Sequence, residues 1–266
     1  MSTLDKFFSW AWENYLETTP QAAEIKELLE AEGETVCNDH IALRTFDHPS
    51  CAISKLSKFF LEAGYLEGGS YLFPNKKVEA LHFYHPDNSS LPKIFISQLK
   101  YGEFSEPFVA LIEKLIAQID SGPSPLDLLK CGRPWQLSFA EYQLLAAESE
   151  YGSWMAGHGF RINHFTVDVN QLKKFGQLPQ LNSFLLEKGF ELNNSGGAIK
   201  GRPELFLEQS STMASEKQIQ FSEGEFAIPG CYYEFAKRYP LPNGQLFQGF
   251  VAASADKIFE STDKTT

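Results

Sequence analysis

Two histidines and one glutamate carry the chemistry most clearly signalled in this chain. His40 lies in the alternating run Asn38-Asp-His-Ile-Ala-Leu-Arg-Thr-Phe46, and His164 lies in Ile162-Asn-His-Phe-Thr-Val-Asp168. Side chains two apart on a strand share a face. His40, Ala42 and Arg44 therefore share one face, with Ile41, Leu43 and Thr45 on the other. His164, Thr166 and Asp168 repeat the pattern opposite Phe165, Val167 and Val169. Each run offers a histidine on a polar face with an apolar face behind it. Glu234 sits inside the aromatic strand Tyr232-Tyr-Glu-Phe235, where a buried carboxylate needs a partner or a metal. Two histidines and a carboxylate from three strands match a facial triad with open positions, which suits non-haem Fe(II) and also accepts Mn, Ni or Zn.

Arg44 faces the same side as His40, and a buried arginine is costly unless paired. It either pairs with an internal carboxylate such as Asp168 or awaits an acidic ligand. Other candidates are weaker. His82 and His85 do not share a strand face, and His48 and His158 read as loop residues facing solvent. Arg161, Lys200, Arg202 and Arg238 are candidate anion contacts, with ordinary surface charge the stronger reading. The strand matching Glu234 in the first half, Lys93-Ile-Phe-Ile-Ser-Gln-Leu99, offers Ser97 and Gln98 instead, so only one half supplies a carboxylate.

These residues recur within a repeat. The interval from His40 to His164 nearly equals that from Gly64 to Gly189, where Lys58-Phe-Phe-Leu-Glu-Ala-Gly64 parallels Ser183-Phe-Leu-Leu-Glu-Lys-Gly189. Two matches at almost one offset indicate an internal duplication, and each unit reads β-α-β-β-β. A helical start spans 1–33, the first unit 36–100, a helical insertion 104–156 and the second unit 158–251, and a flexible tail covers 256–266. Within these bounds the pattern predicts helices over 3–17, 20–33, 52–63, 104–119 and 171–188, the last broken at Pro179. The pair Ser138 and Glu141 forms a capping box that opens a helix toward Gly152. Strands are expected at 37–46, 70–73, 78–85, 93–99, 160–169, 204–209, 217–221, 231–239 and 246–251, and the Ser-Gly-Pro-Ser-Pro stretch at 121–125 is a turn.

The chain has 266 residues, 43% of them apolar, enough for a large core without staples. Its net charge of -11 argues against a nucleic-acid partner. The four cysteines, Cys37, Cys51, Cys131 and Cys231, form no C-x-x-C pair and no disulfide framework. The N-terminus lacks the basic start and cleavage site of a signal peptide. The longest charge-free run, 239–255, is interrupted by Pro240, Pro242, Asn243 and Gly244 and cannot span a membrane. A soluble cytoplasmic protein without a membrane partner is expected. The motifs of dinucleotide, P-loop, serine-elbow and zincin enzymes are absent.

The segments Asn38–Phe46, Ile162–Thr166 and Tyr232–Phe235 resemble the 2-oxoadipate dioxygenase/decarboxylase family, over about residues 36 to 250. The resemblance implies an α+β fold of the vicinal-oxygen-chelate type, related to hydroxymandelate synthase. Two pseudo-repeated βαβββ units would form a curved, barrel-like mixed sheet around a metal, with added N-terminal and central helices. It implies that His40, His164 and Glu234 hold Fe(II) and that Arg44 binds a substrate carboxylate. It further implies a 2-oxo dicarboxylic acid and O2 as small-molecule partners, with 2-oxoadipate giving 2-hydroxyglutarate and CO2. Two other readings stay open: a Zn- or Ni-dependent lyase or isomerase on the same scaffold, and a non-catalytic small-ligand-binding protein.

Overall fold

The structure, a computed structural model, describes residues 2–119 and 122–262. Two helices lead, α1 (Thr3–Leu16) and α2 (Pro20–Ala31). Ser2 and Asp5 form a capping box at α1, and Pro20 opens α2 where its missing N–H costs nothing. The first unit follows as β1 (Asn38–Phe46), α3 (Ile53–Glu62), β2 (Leu66–Phe73), β3 (Val78–Tyr84) and β4 (Lys93–Leu99). Four helices come next: α4 (Glu106–Ile116), α5 (Pro125–Lys130), α6 (Phe139–Ala146) and α7 (Glu150–His158). The second unit comprises β5 (Ile162–Asp168), α8 (Leu178–Glu187), β6 (Lys200–Arg202), β7 (Leu207–Ser211), β8 (Glu216–Phe221), β9 (Gly224–Pro229) and β10 (Tyr232–Arg238). Helix α9 (Ala252–Phe259) and a 3-10 turn at Glu260–Thr262 end the described chain.

Eight strands form one curled half-barrel in the order β2-β3-β4-β1-β5-β10-β7-β6. The order is symmetric about its centre. In each unit the first strand runs parallel to the last, β1 beside β4 and β5 beside β10, and the units join through the antiparallel pair β1–β5. The β8–β9 hairpin forms a separate two-stranded sheet inserted into the second unit. Strands β2 and β6 remain edges, and α9 packs against both β2 and the β6–β7 pair, bridging the open side.

Strand alternation places the apolar residues Ile41, Leu43, Phe165 and Val167 under the outer helices, all essentially buried. Trp12 and Tyr15 of α1 each pack on Phe165 with ring centroids 5.1 Å apart. Full burial of such side chains contributes about 1.5–3 kcal/mol each. This layer holds the seam strands rigid while their other face lines the half-barrel. Among the described residues no helix is long and apolar enough to cross a membrane.

Several expectations need correction. The helix opened at Ser138 stops at Ala146, and Ser149 caps a separate α7 by accepting from the Gly152 N–H. The segment 171–188 is helical only from Leu178, where Pro179 takes an N-terminal position. Residues 246–251 form no strand, because β10 is already flanked by β5 and β7. The flexible tail expected from 256 is overturned as far as Thr262. Ala255, Ile258 and Phe259 share one helical face and are buried against the sheet. Residues 263–266, and Ser121 of the expected turn, lie outside the described residues.

Candidate metal centre

His40, His164 and Glu234 come from the adjacent strands β1, β5 and β10 and are 2%, 4% and 1% exposed. One ligand-capable atom from each lies within 4.8 Å of the others. His164 Nε2 stands 3.1 Å from Glu234 Oε2, and His40 Nε2 stands 3.7 Å from Glu234 Oε1. Sheet register produces this meeting: Thr166 lies between His40 on one neighbouring strand and Glu234 on the other. The same register corrects the match in the first unit. Thr166, two residues after His164, opposes Glu234, whereas Ala42, two after His40, opposes Phe95. Phe95, not Ser97 or Gln98, thus occupies the position equivalent to Glu234, and one half supplies the carboxylate.

Each histidine is oriented by the residue just before it. The pairing of β1 with β5 slips by one residue at Asp39 and again at Asn163. Such a bulge re-aims a side chain, so Asp39 and His40, although consecutive, both reach the same site. Asp39 Oδ1 lies 2.8 Å from His40 Nδ1, and Asn163 Oδ1 lies 2.9 Å from His164 Nδ1. These oxygens accept, so Nδ1 carries the proton in each ring and Nε2 turns a lone pair inward. The Thr166 hydroxyl, 3.1 Å from His40 Nε2, fits that tautomer.

Electrostatics favour a cation here. Burial lowers the pKa of His164 by disfavouring the imidazolium, against the opposing pull of Glu234. Burial pushes Glu234 upward, yet His40, His164 and the Gln209 amide together hold its carboxyl below the usual range. Neutral imidazole and ionised carboxylate are the states a divalent metal requires. His164 Nε2 and Glu234 Oε2, 3.1 Å apart, converge on a point that a cation could share. The donor set fits a transition metal.

A buried ion pair braces the centre. Arg238 grips Asp39 through Nε at 2.6 Å and Nη2 at 2.8 Å, and its Nη1 donates to the carbonyls of Phe247 and Gly249. That anchors the segment carrying Phe250, whose ring meets His40 edge-on at 4.8 Å. Arg238 is 3% exposed, so its reading as surface charge is overturned. His158 likewise is buried, with Nε2 2.8 Å from the Pro229 carbonyl. Asp39 and Asn163 were not singled out from the sequence, although their matched positions before the two histidines could have shown them. Arg238, Gln209 and Phe250 carried no such signal. Asp39→Asn is expected to weaken metal affinity about 10- to 100-fold, as changes in such outer partners do. Chelator competition measures it, and unchanged affinity would refute the orienting role.

Arg44 pairs with Glu150 of α7, Nη1 to Oε1 at 2.8 Å, and not with Asp168. The antiparallel seam explains the correction. Asn38 lies opposite Val167, which puts Asp168 at the end of β5 farthest from Arg44, where it caps the following 3-10 turn. Arg44 is 1% exposed and stacks over Tyr151 and Trp154 at 4.8 and 5.0 Å. Its Nε has no partner among the described residues, and its Nη2 donates to the Thr262 hydroxyl at 3.4 Å. The Nε/Nη2 edge is the one Arg238 uses to hold a carboxylate, and on Arg44 its Nε is free of any described partner. A cavity of about 20 Å³ adjoins the triad, closed by Phe95, Phe250 and the α9 residues Ala255, Ile258 and Phe259.

Comparison with known proteins places the chain in a family. The family model for 2-oxoadipate dioxygenase/decarboxylase matches residues 9–133 and 126–247. The chloroplastic 2-oxoadipate dioxygenase/decarboxylase of Arabidopsis thaliana is 35% identical over 278 residues, covering 93% of this chain and 74% of the relative. The crystal structure of hydroxyglutarate synthase from Oryza sativa in complex with 2-oxoadipate is 34% identical, with a TM-score of 0.90, covering 98% of this chain and 94% of that one. A crystal structure from Shewanella frigidimarina, provisionally described as a hydrolase, is 45% identical with a TM-score of 0.88, covering 95% and 99%. With its paired units and its buried His-His-Glu cluster, the chain belongs to the 2-oxoadipate dioxygenase/decarboxylase family.

Proposed function

We propose that this protein is an Fe(II)-dependent dioxygenase that converts 2-oxoadipate and O2 to 2-hydroxyglutarate and CO2. The observation that carries this reading is the acceptor-lined meeting of His40, His164 and Glu234, open on one side to a cavity. Family membership and the 2-oxoadipate held by the rice relative supply the substrate class. Bound in this set, Fe(II) supplies the coordination positions and electrons that activate dioxygen. The chain's residues do the rest. His40, His164 and Glu234 hold the metal, while Asp39 and Asn163 fix the ring tautomers. Arg44 receives a substrate carboxylate on its Nε/Nη2 edge. Phe95, Phe250 and Phe259 keep water from the centre. A cavity of about 20 Å³ holds little more than a water, so a six-carbon diacid enters only when α9 shifts outward. The substrate carries its own 2-oxo group, and the atoms balance with no further co-substrate.

Iron-loaded, reduced protein given 2-oxoadipate is expected to consume one O2 for each CO2 released. Paired oxygen-electrode and CO2 measurements check this. Absence of O2 uptake with every 2-oxo acid tried, with zinc or nickel as the metal found after purification without a His tag, would favour a redox-neutral lyase or isomerase. Metal-free protein that binds the acid unchanged would favour a binding role.

A further inference from the structure

The proposed function uses Arg44 as one anchor for a carboxylate but leaves a second buried donor unexplained. Tyr232 is fully buried, and its hydroxyl has no partner among the described residues. An orphaned buried hydroxyl is uncommon and costs stability. Tyr232 lies in register with His164, which in turn pairs with Ala42, and Arg44 is two residues beyond Ala42 on the same strand face. All four side chains therefore point into the half-barrel. The Tyr232 ring stacks on His164, with centroids 4.5 Å apart and planes 26° apart, and its backbone is tied down because its carbonyl accepts from the Tyr15 hydroxyl. Tyr233, the next residue, also has an unpaired hydroxyl, but it faces the outer helices and packs on Trp12 and Tyr15.

Two donors without a partner among the described residues thus lie on the inner face: the Nε of Arg44 and the hydroxyl of Tyr232. A phenol hydroxyl can donate a hydrogen bond. We propose that Tyr232 is a specificity-determining residue whose hydroxyl, together with the Nε of Arg44, donates to the carboxylate of a dicarboxylic 2-oxo acid distal to its 2-oxo group. The assignment rests on the dioxygenase reading for its substrate class. It adds a second donor to a subsite that Arg44 alone would fill incompletely. Thr262, at Nη2 of Arg44, stands where a carboxylate oxygen would bind.

Tyr232→Phe removes one oxygen and keeps the ring on His164. An orphaned donor contributes nothing to folding, so the thermal midpoint is expected to stay or rise and iron content to stay whole. The KM for 2-oxoadipate is expected to rise about tenfold, the worth of one hydrogen bond to a charged group, with kcat little changed. Turnover of 2-oxohexanoate, which ends in a methyl group, should not respond. Equal losses on both substrates would move the hydroxyl's role to the metal end and overturn the proposal, as would no loss on either. If wild-type protein fails to turn over 2-oxoadipate, the dioxygenase reading fails by itself. Calorimetric titration of glutarate, with pentanoate as control, then decides the subsite. Weaker glutarate binding by Tyr232→Phe supports it, and equal binding overturns it.

Discussion

Glu234→Ala is expected to leave the protein folded but unable to hold iron. Affinity should fall by more than about 100-fold, because even the outer partners of a metal ligand are worth 10- to 100-fold. Oxygen uptake with 2-oxoadipate should disappear with it. Glu234 is the sole carboxylate of the cluster, and the first unit puts Phe95 at the equivalent register position. No other oxygen ligand in the cluster can replace it. Folding should survive, since the change deletes a buried charge, burial already lowers the pKa of His164, and the Gln209 amide loses only one bond. Metal analysis after anaerobic reconstitution, with circular dichroism as the folding control, checks the result. Stoichiometric iron in Glu234→Ala, and likewise in His40→Ala and His164→Ala, would sink the ligand assignment.

Arg44→Met should give the complementary result, with iron kept and turnover lost. Methionine preserves much of the length and packing against Tyr151 and Trp154 while removing the fork. A charge-assisted hydrogen bond contributes roughly 1.5–3 kcal/mol, so kcat/KM for 2-oxoadipate should drop about 10- to 100-fold. Lysine at this position should recover only part, because an ammonium cannot present two parallel donors. Glu150 loses the guanidinium but keeps the Thr262 hydroxyl, and it is about a quarter exposed, so water can solvate it. A modest fall in thermal midpoint is therefore expected without loss of metal. Iron-replete Arg44→Met with unchanged kcat/KM would eliminate the substrate role. Iron and stability falling together would make Arg44 a brace between β1 and α7.

Much of this site was legible from local pattern. A strand half-buried between helices and a polar interior must alternate, and His40 and His164 each stand on the polar side of Ile41, Leu43, Phe165 and Val167. Glu234 was conspicuous as a lone acid among aromatics. The repeat was legible because both units use the same strand–helix–glycine punctuation, and Gly64 and Gly189 both adopt positive φ, at 97° and 90°, where a side chain would be strained.

The partners of these residues were not legible, because they depend on register between distant strands. Asp39 and Arg238 are 199 residues apart and meet only when β1 and β10 flank β5. The end of β5 near Asp168 proved to be the wrong end for Arg44, since an antiparallel pairing reverses which ends meet. One-residue bulges at Asp39 and Asn163 break strict alternation, and a period-2 pattern cannot announce where it will slip.

Sequence alone therefore determined the candidate residue types, their strand faces and the duplicated architecture, since hydrophobic alternation and local side-chain chemistry act over a few residues. Only the tertiary structure decided that Phe95 takes the fourth strand position in the first unit, that the Arg44 Nε and the Tyr232 hydroxyl stay without a partner among the described residues, and that residues 252–262 close the half-barrel instead of trailing from it. Those outcomes depend on which surfaces remain uncovered once the strands are in register. The edges β2 and β6 leave one side of the half-barrel open, and the apolar face of α9 is what buries it.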